Sequence, residues 1–177
     1  TRHDLKACQL SLMDRWVLSR MNTLIKEVDD DLTNYRITES TRKISDFTDE
    51  LSNWYVRLGR DRFWGKGMAA DKEAAFMTLY TVLSSLVKVL APYLPFLTES
   101  IYQNIVRTAD PSAPESVHLC DFPACDESMV DSEIERQMAA VENVVQLGRA
   151  CRNLSNMKVR QPLSMLYVCG ADFGEAY

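Results

Sequence analysis

"SLMDRWVLSRMNTLIKEVDDDLTNY", residues 11–35, pairs a helix start with one unbroken apolar stripe. Ser11 and Asp14 stand at the spacing of a capping box, in which each side chain satisfies the other residue's backbone N–H. Met13, Val17, Met21, Leu24, Val28, Leu32 and Tyr35 then recur at steps of three and four, which is one face of a helix. At about 1.5 Å per residue this helix runs roughly 35 Å. Its other face is charged and ends in Asp29, Asp30 and Asp31. A long helix with one apolar face needs helical partners to cover that face.

The partners follow in the sequence. "NYRIT" breaks the first stripe, and a second helix is expected from near Thr38, with Ile44, Phe47, Leu51, Trp54 and Leu58 inward and a stop at Gly65 and Gly67. Asp71 is the expected N-cap of a third helix, with Phe76, Leu79, Leu83, Leu86 and Leu90 as its stripe and Pro92 at its end. Pro95 suits the first turn of a fourth, lined by Leu97, Ile101 and Ile105. Residues 108–130, with Pro111, Pro114 and Pro123, read as a long loop with a short extended piece at "SVHLCDF". "SEIE", residues 132–135, is a second capping box, opening a fifth helix with Ile134, Met138, Val141, Val145, Leu147, Cys151 and Leu154 inward. After Asn156, "QPLSMLYVCG" has a strand-like composition. The expectation is an all-α, antiparallel bundle of about five helices over residues 1–156. A short extended piece at the C-terminus, residues 157–177, would begin a following domain.

Composition narrows the function. The chain has 177 residues, enough for one sizeable core, and a hydrophobic fraction of 46%, ordinary for a globular protein. No apolar run approaches the roughly 18 residues that span a bilayer, so no membrane partner is expected. The start lacks a basic-then-apolar leader and an initiator Met, and the chain reads as a piece of a longer one. Five cysteines without a CxxC pair argue for a reducing, cytoplasmic setting. His118, Cys120 and Cys125 lie close together, but their spacing fits no standard zinc site and a fourth ligand is missing, so no metal is expected.

The net charge of −5 conceals a segregation. Residues 109–142 hold nine acids against one base, Arg136. Residues 143–171 hold Arg149, Arg152, Lys158 and Arg160 and no acid. Residues 51–70 set Arg57, Arg60, Arg62 and Lys66 against Asp61 alone, with Trp54, Tyr55, Phe63 and Trp64 among them. Basic residues that share a face can serve a polyanion even in an acidic protein. On a helical wheel Asn53, Arg57, Arg60 and Trp64 fall on one side, about 130° from the apolar stripe. Trp54 falls on the stripe and is expected in the core. Arg62 falls toward the apolar side, where it would brace the helix end. The arginines off the stripe either pair with acids of the first helix or meet RNA. Guanidinium forks suit phosphates and base edges, and an exposed indole offers an unstacked base a flat partner.

"DRWVLSRMNTLI", "DELSNWYVRLGRDRFWG", "APYLPFLTESIYQNIVR", "SVHLCDFP" and "KVRQPLS" closely resemble the anticodon-binding region of isoleucyl-tRNA synthetases, from about Leu12 to Val168. "APYLPFLTE" is shared more loosely with class I synthetases for valine and leucine, whereas "NWYVRLGRDRFW" with "KVRQPL" favours isoleucine. The resemblance implies a helical bundle docked on the anticodon stem-loop of isoleucine tRNA, with the remainder of the synthetase chain as its other partner and no role for DNA. It implies that the full enzyme joins isoleucine to tRNA with ATP and Mg. The signature motifs of that chemistry, of the HIGH and KMSKS type, do not occur in these residues, so no catalytic residue and no cofactor are expected here. By motif match Arg57, Arg60 and Trp64 are candidate stem-loop contacts, and Lys158 and Arg160 candidate contacts toward the next domain. Asn53 and Lys66 share the first stretch, and Arg149 and Arg152 the second. Leu58 and Gly59 depart from the more polar residues often found there. Two rivals remain, the same region of another class I synthetase and a helical protein-interaction scaffold. A di-metal bundle enzyme would need inward Glu and ExxH pairs, which the sequence does not supply.

Overall fold

Ser11 and Asp14 form the expected reciprocal cap. The Ser11 hydroxyl accepts from the Asp14 N–H at 3.2 Å, and the Asp14 carboxylate accepts from the Ser11 N–H at 2.8 Å. From this cap runs α1 (Leu12–Thr33). The computed structural model describes residues 5 and 8–169, which divide into two compact units meeting in sequence between Val130 and Asp131. The first holds α1, α2 (Ile37–Glu50), α3 (Arg60–Trp64), α4 (Ala70–Leu90) and α5 (Pro95–Tyr102). The second holds α6 (Ser132–Leu154) and the segment after it. The protein is an all-α bundle, and no strand occurs among the described residues.

α1 is the centre of the first unit. Val17, Met21, Leu24 and Val28 are buried as the stripe predicts, and so are Trp16, Leu18 and Ile25, because α2 and α4 both pack against this helix. The last stripe residue does not join them. Tyr35 adopts φ 59°, a left-handed turn residue that reverses the chain, and its ring is 89% exposed.

The second helix departs furthest from expectation. Ile44, Phe47 and Leu51 are buried, but the next inward aromatic is Tyr55, at 1% exposure, with Trp54 only half-buried. Leu51–Val56 winds as a π-helix, and the Arg57 N–H bonds five residues back to the Ser52 carbonyl at 3.0 Å. The wider turn carries an extra residue, so the 3.6-residue stripe falls one residue short. Leu58 consequently faces solvent. At Gly59 the helix breaks, and a Cβ there would lie 2.7 Å from the Tyr55 carbonyl oxygen. What reads as one helix is therefore α2, a π-helical turn and the separate short α3.

α4 starts two residues earlier than expected. Ala69 is its N-cap and Asp71 lies inside the first turn. Its buried face is Ala74, Ala75, Thr78, Val82, Leu86, Val87 and Val89, while Phe76 is exposed. Small side chains let α4 approach α1 closely and push the larger ones to the flanks. By length and composition alone α4 is apolar enough to cross a membrane, but it packs here against α1, α3 and α5.

Pro95 opens α5 at its first turn, as expected. The buried residues are Thr98, Tyr102 and Val106, with Ile101 and Ile105 beside them and Leu97 exposed. This face is set by a second cluster of Val87, Ala91, Tyr102, Val106 and Val117, closed by the loop after α5. Tyr102 donates to the Pro114 carbonyl at 3.0 Å, and Glu99 accepts from the Val117 N–H at 3.0 Å. "SVHLCDF" holds a 3₁₀ turn, Val117–Leu119, flanked by extended residues, in place of a strand-like piece.

In the second unit Asp131, and not Ser132, caps α6, its carboxylate accepting from the Ile134 N–H at 3.1 Å. Both residues are competent caps, and the acid one position earlier takes the role. Leu147, Cys151 and Leu154 are exposed, against expectation. Residues 157–169 form no strand and border, with α6, an open apolar groove of about 650 Å³ that includes Val144, Leu147, Met157 and Leu163. The strand expected over 161–170 thus fails in its described part, and residues 170–177 lie outside the described residues.

Candidate nucleic-acid interface

A five-residue helix does not hold itself together in water, so α3 must be held by its neighbours. Two side chains do this. Phe63 packs edge-on against Tyr55, with centroids 6.0 Å apart, and against Phe76 at 5.4 Å. Arg62 uses its whole fork. Nη1 donates to Asp14 Oδ1 at 3.0 Å and to the Ser11 hydroxyl at 3.2 Å. Nη2 donates to Asp14 Oδ2 at 2.9 Å and to the Asp71 carbonyl at 3.2 Å. Nε donates to the Asp71 carboxylate at 2.9 Å.

Asp14 is fully buried and also accepts from the Tyr55 hydroxyl at 2.6 Å. Burial pushes its carboxyl up, but the hydrogen bonds from Arg62, Tyr55 and Ser11 together hold it below the usual aspartate range. The Arg62 guanidinium is raised, first by its bonds to Asp14. The Tyr55 phenol is raised by burial, then by its hydrogen bond to Asp14 and by the Asp14 charge. All three stay in one charge state at neutral pH. Arg62 braces the helix end, as its place on the wheel predicts. The role of Asp14 was invisible in sequence beyond its cap; the one signal was that a guanidinium on an apolar face requires a buried carboxylate.

Residues two positions from Arg62 in either direction lie about 200° around the helix. With Arg62 turned inward, Arg60 and Trp64 point out as neighbours four residues apart. The Arg60 guanidinium carbon sits 5.1 Å from the Trp64 ring centroid, a cation–π pair, and the indole is 77% exposed. Asn53, Arg57 and Lys66 are also exposed. Arg57, Arg60 and Lys66 make no ion pair among the described residues.

The alternative reading, pairing with acids of the first helix, applies to other cations. Arg36 donates to Asp31 at 2.8 Å and to Asp30, and Lys43 lies 2.8 Å from Asp31. Asp31 is lowered by Lys43 first and by Arg36 next. Arg20 pairs with Glu50 at 2.9 Å. The acidic face of α1 thus has its own partners on α2 and the turn before it.

The second unit carries the other four candidate residues. Arg149, Lys158 and Arg160 are exposed. Arg152 is half-buried, and its Nη1 donates to the carbonyls of Lys158 at 3.0 Å, Val159 at 3.1 Å and Gln161 at 2.8 Å. Arg152 thereby shapes the segment that presents Lys158 and Arg160.

Among the described residues no group of three or more His, Cys, Asp or Glu side chains converges as around a metal. Cys120 donates to the Tyr102 hydroxyl oxygen at 3.4 Å, and the His118 ring lies 3.3 Å from the Pro95 carbonyl. Burial raises the Cys125 thiol.

The bundle thus turns an arginine-backed indole to solvent, and that arginine makes no ion pair among the described residues. Over residues 14–167 the chain matches the family described as the anticodon-binding domain of tRNA ligase, and it belongs to that family. Its relatives carry a narrower name. It is 52% identical over 167 residues to an isoleucine–tRNA ligase of Clostridium novyi, covering 94% of this chain and 16% of the relative. It is 47% identical over 163 residues to that of Dehalococcoides mccartyi (92% and 16%) and 46% over 157 residues to that of Bacteroides fragilis (88% and 14%). The chain therefore spans about a sixth of the length of these curated relatives.

Proposed function

We propose that this chain is the anticodon-binding part of an isoleucine–tRNA ligase. It docks on the anticodon stem-loop of isoleucine tRNA through the exposed face around α3. Trp64, backed by Arg60, stacks an unpaired loop base. Arg57, Lys66 and Asn53 meet the neighbouring backbone and base edges. Arg149, Lys158 and Arg160, with Arg152 shaping their segment, make a second contact set, and residues 157–177 lead into the next part of the ligase. The observation that carries the reading is the Arg60–Trp64 pair, exposed and unpaired with acid, whereas Arg20, Arg36 and Lys43 each have a carboxylate.

Single-stranded RNA loops are read through splayed bases that stack and hydrogen-bond along their edges. A rigid bundle suits this, because binding energy gained far from the reaction then orients the tRNA end in a remote catalytic site. In the whole ligase that site uses ATP and Mg, and the setting is the cytoplasm. Phosphate contacts supply affinity and salt dependence, stacking adds affinity, and hydrogen bonds along the base edges supply selectivity.

The test is titration of the full-length parent chain with isoleucine tRNA and an anticodon-mutated control, at two salt concentrations. The expected result is tighter binding of the unaltered tRNA at both, with both affinities falling as salt rises. Equal affinity for the two tRNAs removes anticodon recognition. A preference for valine or leucine tRNA assigns the chain to a neighbouring synthetase. Salt-insensitive failure to bind any tRNA favours a protein-interaction scaffold.

A further inference from the structure

α3 has no buried residue, yet it carries the two groups that face RNA in the reading above. Three anchors hold it: Phe63 between Tyr55 and Phe76, Lys72 donating to the Gly65 carbonyl at 2.8 Å, and Arg62. Arg62 alone among them fixes the rotation of the helix about its own axis, because its planar fork is met by Asp14 from α1 and Asp71 from α4. That rotation decides whether residues 60 and 64 point outward together. We propose that Arg62 is the positioning residue of the RNA-binding surface. By locking its fork between Asp14 and Asp71 it presents Arg60 and Trp64 in the stacking geometry before RNA arrives. This rests on the RNA-docking reading of α3 and adds to it a residue whose own charge is neutralised and which touches no RNA.

Physical chemistry sets the expected benefit. A one-turn helix with no lock samples many orientations, and ordering it on contact would weaken binding. A lysine at the same position keeps the charge but cannot bridge two carboxylates with a planar fork. Asp71 is the exposed leg of the bridge and Asp14 the buried one, so removing Asp71 loosens the lock without opening the core.

The experiment uses the full-length parent chain with Arg62→Lys, Asp71→Asn, Trp64→Ala and the Arg62→Lys/Trp64→Ala pair. Hydrogen–deuterium exchange is read on the peptide covering residues 59–67 and on α1, and isoleucine tRNA affinity is read on all four. Arg62→Lys should speed exchange in 59–67 while α1 stays protected, and Asp71→Asn should do the same more weakly. Arg62→Lys should weaken tRNA binding about tenfold on its own and less than about twofold when Trp64 is already alanine, since residues acting through one group are not additive. Unchanged exchange in 59–67 overturns the positioning role whatever the affinity does, as does an affinity loss of equal size with and without Trp64. If Arg62→Lys opens α1 as well, the milder Asp71→Asn decides between the two outcomes. If Trp64→Ala leaves tRNA binding intact, the docking reading itself fails. The exchange data then judge the lock on its own.

Discussion

Two reversals of the chain in the first unit have nearly the same ingredients and opposite arrangements. The α1–α2 turn carries an exposed aromatic, Tyr35, with Arg36 and Lys43 close by. The segment from Asn53 to Gly67 carries an exposed aromatic, Trp64, with Arg57, Arg60 and Lys66. At the first, both cations are taken up by Asp30, Asp31 and Glu27. At the second, one cation, Arg62, bridges Asp14 and Asp71, while Arg57, Arg60 and Lys66 make no ion pair among the described residues. Charge content does not separate the two places. What separates them is whether each cation has an internal partner, because a guanidinium already bridged to carboxylates has few donors left for a phosphate.

The comparison predicts effects of different kinds at the two places. The largest concerns Asp14. Its replacement by alanine removes the buried carboxylate that Arg62 and Tyr55 share, and with it the Ser11 cap, while Arg62 keeps Asp71 and Tyr55 keeps the Ala75 carbonyl; it should cost about 2–4 kcal/mol of folding stability, measured by urea unfolding. The same carboxyl has a folded-state pKa below its unfolded value of about 3.9. Its contribution is therefore complete above pH 4 to 5 and is lost as pH falls through the lowered folded value. A stability curve that is flat in acid for the native protein, or equally steep for the alanine variant, would break this assignment.

Next in size, Trp64→Ala should weaken tRNA binding by about 1–3 kcal/mol, the usual worth of one base–aromatic stack, with the unfolding midpoint unchanged. Tyr35→Ala, the matching change at the other reversal, should leave tRNA affinity alone. Removing the charge of Arg57 and Arg60 together should lower the slope of log affinity against log salt by roughly 1.4–1.8, as expected for two lost phosphate contacts. The smallest effect is expected from Arg36→Gln, with no change in that slope. If Arg36→Gln and the double variant shift the slope alike, the distinction between the two reversals disappears.

Much of this was legible in the residues, for identifiable reasons. The cap at Ser11 and Asp14, the stripe through Val28 and the helix start at Pro95 depend on neighbours within one or two turns, so local chemistry decides them. The errors came where something distant or wider intervened. Tyr55 replaced Trp54 in the core because a π-helical turn shifted the register. Apart from Leu86, which the periodic stripe includes, the buried face of α4 is built of alanines, threonine and valines because packing against α1 favours small side chains there. Asp131 displaced Ser132 as a cap, where two acceptors compete within one residue. The site was half-legible in the same way. Arg60 and Trp64 are neighbours on a helix, but Asp14 lies 48 residues from the arginine it grips, and no periodicity connects them.

The wide turn at Leu51–Val56 also makes the chain tolerant of deletion in one particular place. Dropping a single residue there would let the backbone resume regular winding, and because the wide turn absorbs one extra residue, everything beyond would keep its rotation. Arg62 would stay on its carboxylates and the indole would stay turned outward. The same excision inside the regular winding of α1 would turn everything beyond it by about 100°. Among the helices of this protein, loss of one residue should thus be far better tolerated inside that one turn than in α1.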